Sequence, residues 1–380
     1  SLVGAHKLGE YWIGPHIASG GRGHVFYGSS LGAHGNPTVA IKWPSTRREL
    51  RTIQALHEHA TPCLGVPLVY DSGEHNGKPW LVMELLSKLS FKDVMRRIFR
   101  LQASRRWRYV RVIGRLLLRR LKAMHERGFV HCDIHPSNII FGRKKYGSAV
   151  ERYLPFFVDF GLAHPHPGGA KVSAHAGTIT YSSIRSAKGG PRLPRDDVEA
   201  LGWMLCHAVA GALPWVLMID KVDWKDKPRR AVLIQEVKEE KARVLPEGIP
   251  HSLEDRWNVP PELARYVRLC QSFGTDDDEG EAAWPDYEAL LALLADPPDP
   301  SSPAAAQQSP SFDPEGGETL FDFEDLPAVP GAEEEETPAE DPPEAEEATA
   351  QEAEPEAPED GEEAVEREDL ALLAQLLSEI

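Results

Sequence analysis

The 380-residue chain carries a formal charge of −17 that is unevenly placed: residues 296–380 hold 28 acidic residues and one basic residue, Arg367, which leaves roughly +10 on residues 1–295. Four scattered cysteines, Cys63, Cys132, Cys206 and Cys270, show no C-x-x-C spacing, so neither a disulfide framework nor a zinc site is expected. No apolar run reaches the ~18 residues a membrane span requires, and the expectation is an intracellular monomer, cytoplasmic or nuclear.

Residues 11–85 read as short β-prone runs, Trp12-Ile13, Val25-Phe26-Tyr27, Val39-Ala40-Ile41 and Trp80-Leu81-Val82-Met83, punctuated by Gly, Pro and Asn. One helix interrupts them over Arg48–His59, where Leu50, Ile53 and Leu56 recur at helical spacing. Beyond Leu86 the pattern turns helical. Val110, Ile113, Leu117, Leu121 and Met124 follow three- and four-residue steps up to a stop at Gly128, and further helices are predicted over Asp196–Ala210, Pro261–Gln271 and Tyr287–Leu294. The fold class expected is α+β, a small β-rich lobe followed by a larger α-helical lobe, spanning residues 11–295. Residues 296–380 are too polar to offset chain entropy by burial and are expected to be a disordered acidic tail. Leu372, Leu373, Leu376 and Leu377 form a short amphipathic stripe at its end, and Leu320–Leu326 is its one aromatic-acidic cluster, the kind of segment that docks on partners.

Three segments carry chemistry. Ala18-Ser19-Gly20-Gly21-Arg22-Gly23-His24-Val25 lies between two strand signals; a glycine-rich hairpin lets backbone approach triphosphate oxygens that side chains would keep away. Val39-Ala40-Ile41-Lys42 then ends a strand in a lysine, placed to hold donor phosphates. The carboxylate partner of Lys42 is sought on the next helix, at Glu49 or Glu58, with Glu49 favoured because it lies near the helix start. The third and strongest signal is His131-Cys132-Asp133-Ile134-His135-Pro136-Ser137-Asn138, followed by Val158-Asp159-Phe160-Gly161. Here one aspartate can accept a substrate hydroxyl proton while an asparagine and a second aspartate bind metal, the separation of roles that phosphoryl transfer demands.

Over residues 11–295 the chain resembles the eukaryotic protein kinase fold, and within it the casein kinase I and vaccinia-related kinase group. The finer resemblance rests on Gly177-Thr178-Ile179-Thr180-Tyr181-Ser182-Ser183-Ile184 in place of an A-P-E motif, on Arg195-Asp196-Asp197-Val198-Glu199-Ala200-Leu201-Gly202 followed by Leu213-Pro214-Trp215, and on Trp284-Pro285-Asp286-Tyr287. It implies a Ser/Thr protein kinase using ATP and Mg2+. The nucleotide site would comprise Ala18, Gly20, Gly21, Gly23, Val25, Ala40, Lys42 and Glu49, with Met83 as gatekeeper and Glu84 to Leu86 as hinge. Asp133, His135 and Thr178 would be catalytic, Asn138 and Asp159 would bind metal, and Asp197 would tie the catalytic loop to the helical lobe.

Several positions depart from the pattern. Ala18 replaces the first glycine of the loop. Cys132 replaces the arginine that reads a phosphorylated activation loop, so no such switch is expected. His135 stands where a lysine contacts the transferring phosphoryl group, and imidazole is shorter and only partly charged near neutral pH. A pseudokinase or scaffold is therefore an alternative reading. A small-molecule kinase of the aminoglycoside or choline type is another, because those enzymes carry a similar H-x-D-x-H-P-x-N loop.

Residues 96–122 hold eleven basic residues and no acidic one. Arg108, Arg111, Arg115, Arg119 and Lys122 are expected to form a ridge opposite the apolar stripe of their helix. Such a ridge suits a solvated face, acidic or prephosphorylated protein substrates, nucleic acid, or the chain's own acidic tail.

Overall fold

The computed structural model describes residues 7–20, 23–30, 38–142, 153–168, 172–173, 176–219, 226–274 and 284–295. In chain order the first part contains β1 (Lys7–Leu8), β2 (Tyr11–Gly20), β3 (Gly23–Ser30), β4 (Val39–Trp43), α1 (Arg47–Leu56), β5 (Val69–His75) and β6 (Lys78–Glu84). These strands make one antiparallel sheet in the order β1-β2-β3-β4-β6-β5. The four expected β-runs all lie in it; β5 and β1 complete it.

Central strand β4 is buried at every position, which is why Val39-Ala40-Ile41 reads as a continuous apolar run. On the sheet's outer face Leu8, Val39, Ile41, Trp43, Trp80 and Val82 form a small core of their own. Helix α1 starts at Thr46, whose side chain accepts from the Glu49 amide at 3.1 Å, and it buries Glu49, Thr52, Ile53 and Leu56. It ends at Leu56, so Glu58 falls beyond it. At the β2–β3 turn Gly23 has φ of 149°, and a Cβ there would run into the Pro44 carbonyl oxygen. Only glycine fits that approach.

The second part is helical, as expected. It comprises α2 (Phe91–Ile98), α3 (Ala103–Glu126), β7 (Phe129–Val130), β8 (Ile139–Phe141), β9 (Pro155–Phe157), β10 (His164–Pro165), α4 (Pro194–Ala210), α5 (Val216–Ile219), α6 (Lys227–Val244), α7 (Leu253–Trp257), α8 (Pro261–Ser272) and α9 (Tyr287–Leu293). Gly128, with φ of 77°, closes the chain after α3. Helices α3 and α4 cross at the centre of the main core, where Ile113, Leu117, Leu121, Leu201 and Leu205 are completely buried. Each such side chain contributes roughly 1.5–3 kcal/mol.

The burial of α3 corrects the expectation of a solvated ridge. Arg108 is exposed, but Arg111 and Arg115 are 7% and 8% exposed. Arg115 donates to the Leu294 carbonyl at 2.6 Å and Arg111 to that of Ala295 at 3.4 Å, while Lys122 meets Glu288 at 3.3 Å. The basic row is therefore largely the seat of α9 and the residues after it. Cations suit the carbonyl end of a helix, and that local chemistry outweighs exposure. Contact with the acidic segment 296–380, its disorder and its terminal leucine stripe lie outside the described residues. Among the described residues, no helix is long and apolar enough to cross a membrane.

Candidate active site

The site lies where the sheet meets the helical part. The β2–β3 hairpin pairs Ala18 with Val25, Ser19 with His24 and Gly20 with Gly23; Gly21 is outside the described residues. A Cβ on Gly20 would be 3.8 Å from Asp159 Oδ2, so the hairpin covers the Asp159 carboxylate. On β4, Lys42 is cross-strand from Val25, and Ala40 from Met83. Glu84 uses its backbone amide on the Leu68 carbonyl at 2.8 Å and accepts from the Leu68 amide through its carboxylate. Leu86 follows, half-buried, just past the end of β6.

Lys42 is 6% exposed, and its Nζ donates to Glu49 Oε1 at 2.5 Å and to Asp159 Oδ1 at 3.0 Å. Ser45 donates to the other Glu49 oxygen at 2.8 Å. The short interval between Lys42 and Glu49 is thus bridged by helix α1, which turns Glu49 inward under the strand. Burial alone would raise the Asp159 carboxyl, but the charge and hydrogen bond of Lys42 outweigh it and hold Asp159 below the usual carboxylate range. Its backbone is left-handed, with φ of 63°, and the carboxylate accepts from the Gly161 amide.

The catalytic-loop candidates form a second cluster. Asp133 Oδ1 accepts from both the amide and the hydroxyl of Thr178, each at 2.9 Å, and the Asn138 side-chain amide donates to the Asp133 carbonyl at 3.1 Å. His135 Nε2 lies 3.9 Å from Asp133 Oδ2, and its Nδ1 accepts from the Ser137 amide. His131 joins the two clusters: its Nδ1 accepts from the Asp133 amide at 3.3 Å, and its Nε2 is 3.2 Å from the Val158 carbonyl.

Beneath the loop, Asp197 is 2% exposed and accepts from the amides of His131 at 2.6 Å and Cys132 at 2.9 Å, and from His125 Nε2 at 3.0 Å. The other nitrogen of His125 is hydrogen-bonded to the Tyr287 hydroxyl. This anchor holds Cys132 in a left-handed conformation, φ 68°, at the bend that presents Asp133.

The family model described as Protein kinase domain matches residues 16–263. The chain belongs to the protein kinase family. Membership carries phosphotransfer from ATP, with a divalent metal, to protein acceptors. In this kinase the strand lysine, the helix glutamate and the Asp159 carboxylate are joined within hydrogen-bond distance. Asp133, Asn138 and Thr178 assemble around one loop.

Sequence reading missed two features of the kinase. Asp197's partner His125 stands 72 positions away, and Tyr287, which bonds the other nitrogen of His125, stands 162 positions from that histidine, so the chain of contacts leaves no local signature. Helix α6 was not anticipated, although Leu233, Val237, Lys241 and Val244 follow helical steps. The signal was a lysine in that apolar stripe.

Proposed function

We propose that this kinase is an active Ser/Thr protein kinase of the casein kinase I and vaccinia-related type, using Mg2+-ATP. The observation that carries the reading is the double hydrogen bond from Thr178 to Asp133. It fixes one carboxylate oxygen and leaves the other to receive the proton of an incoming serine or threonine hydroxyl. Lys42 binds the donor's inner phosphates, with Glu49 holding the ammonium in place. Asn138 and Asp159 offer hard oxygen donors on the phosphate side. Mg2+ takes one or two protein oxygens together with substrate phosphates and waters, so the fit does not need a larger acidic cage. Bound there, the metal neutralises charge developing on the phosphates.

Three contacts to two carboxylates support the subgroup. Ser183 donates to Asp196 at 2.6 Å and Arg185 is ion-paired with the same carboxylate, while the Ile184 amide donates to Glu199 at 2.8 Å. The Ser-Ile segment and the Arg-Asp-Asp-Val-Glu helix start, which carried the resemblance separately, are one bonded unit. The test is transfer from radiolabelled ATP to casein, histone and the kinase itself, followed by phosphoamino-acid analysis, with Asp133→Asn as control. Labelled serine or threonine from the wild type only is expected. Labelling of choline or an aminoglycoside with none on protein would reject the reading.

His135 favours a slower enzyme. Burial pushes its imidazole below the ordinary histidine value, against the opposing pull of Asp133, so it is mainly neutral at pH 7 and brings no fixed charge to the phosphoryl group. His135→Lys is expected to raise protein phosphorylation about tenfold in steady-state assays, a fraction of the 10²–10³ that one transition-state donor can supply. An unchanged or lower rate would show that the imidazole already performs the lysine's role.

A further inference from the structure

Lys241, one turn before the end of α6, is 1% exposed. Its Nζ lies 5.6 Å from the Trp203 ring and 5.3 Å from that of Trp215, two indoles packed edge to face at 5.1 Å. A lysine here is costly: burial drives its pKa down to about 7, against the opposing charge of Glu199. An apolar residue would fill the same volume without desolvating a charge.

What the ammonium touches explains its presence. It donates to the Ser182 carbonyl at 2.5 Å and to the Ile179 carbonyl at 3.3 Å. Trp215 Nε1 donates to the Thr180 carbonyl, between them in sequence, at 2.8 Å. These carbonyls belong to the turn that begins at Thr178, whose own carbonyl accepts from the Tyr181 and Ser182 amides at 3.0 and 3.1 Å. The carbonyl end of such a turn attracts a cation. Its other end is Thr178, bonded twice to Asp133.

We propose that Lys241 is a positioning residue for the protein acceptor: from α6 it pins the Thr178–Ser182 turn, so that Thr178 keeps Asp133 aimed at the acceptor hydroxyl. The inference rests on the acceptor reading of Asp133 and Thr178 given above. It assigns a role in protein phosphorylation to a helix that contributes no residue to the nucleotide site. The aromatic walls favour the charged form through cation–π attraction and keep water from competing for the carbonyls.

The test compares wild type, Lys241→Met and Lys241→Arg by two readouts on the full chain. In steady-state kinetics, Lys241→Met is expected to lower kcat/KM for casein at least tenfold with KM for ATP within twofold of wild type; Lys241→Arg, which restores a cation, should recover most of the loss. In hydrogen exchange, protection of the Tyr181 and Ser182 amides should fall at least tenfold in Lys241→Met and return in Lys241→Arg, with β4 and β6 unaffected. Unchanged exchange at these two amides, or a parallel loss of ATP affinity, would overturn the proposal. Exchange that changes as expected in a chain whose wild type transfers no phosphate would instead sink the acceptor reading, leaving Lys241 as a brace for the turn alone.

Discussion

Asp159→Ala is expected to lower phosphoryl transfer to protein by about a thousandfold or more, with a thermal unfolding midpoint close to that of wild type. The side chain is partly exposed, a quarter of its surface open, so its removal leaves no large cavity. What it does remove is one of the two oxygen donors proposed for the metal and one of the two carboxylates that hold Lys42. Losing a single preorganised charge contact at a reacting group typically costs 10²–10³ in rate, and here two contacts fail together. The Lys42–Glu49 pair remains, so ATP should still bind, more weakly. Transfer from labelled ATP, nucleotide titration and a melting curve check the three parts. A variant retaining a tenth of wild-type activity would mean that the metal is held elsewhere.

Asp197→Asn should do the opposite, destabilising the fold first. The carboxylate is buried and meets three donors; an amide would turn an NH2 group toward one of them. Breaking a buried charged acceptor of this kind costs about 3 kcal/mol or more, which for a domain of this size lowers Tm by roughly 6–12 °C. Burial would raise the Asp197 carboxyl, but the hydrogen bond and charge of His125, with the His131 amide, bring it below its ordinary 3.8. A depressed carboxylate contributes stability that is fully present above the unfolded value and is lost as pH falls through the folded one. Wild type should therefore lose this increment below about pH 4, and the gap between wild type and variant should narrow there. A gap of constant width from pH 7 to pH 3 would show that the charge contributes nothing. Catalysis should fall with stability, because the same bonds shape the bend at Cys132.

Much of the site is legible in the sequence because its parts are local. The glycines before Lys42, the Asp133–Asn138 spacing and the Asp159 turn each declare a backbone shape within a few residues. Glu49 is legible for a similar reason: Thr46 caps the helix, and a glutamate three residues later is fixed relative to its start. What stayed hidden depends on packing between distant segments. The arginines of α3 obey helical spacing whether their outer face meets water or α9, so periodicity could not tell a solvated ridge from a seat for another helix. Lys241 is the same case inverted, a charge inside an apolar stripe whose carbonyl partners lie some 60 residues earlier.

The close approach of Gly23 to the Pro44 carbonyl joins two parts of the candidate site. Pro44 stands two residues before Thr46, which starts the helix carrying Glu49. The β2–β3 turn and the entrance to that helix are in close backbone contact, with no side chain between them to yield. Displacing the hairpin toward Pro44 would therefore displace the backbone that leads into the helix carrying Glu49.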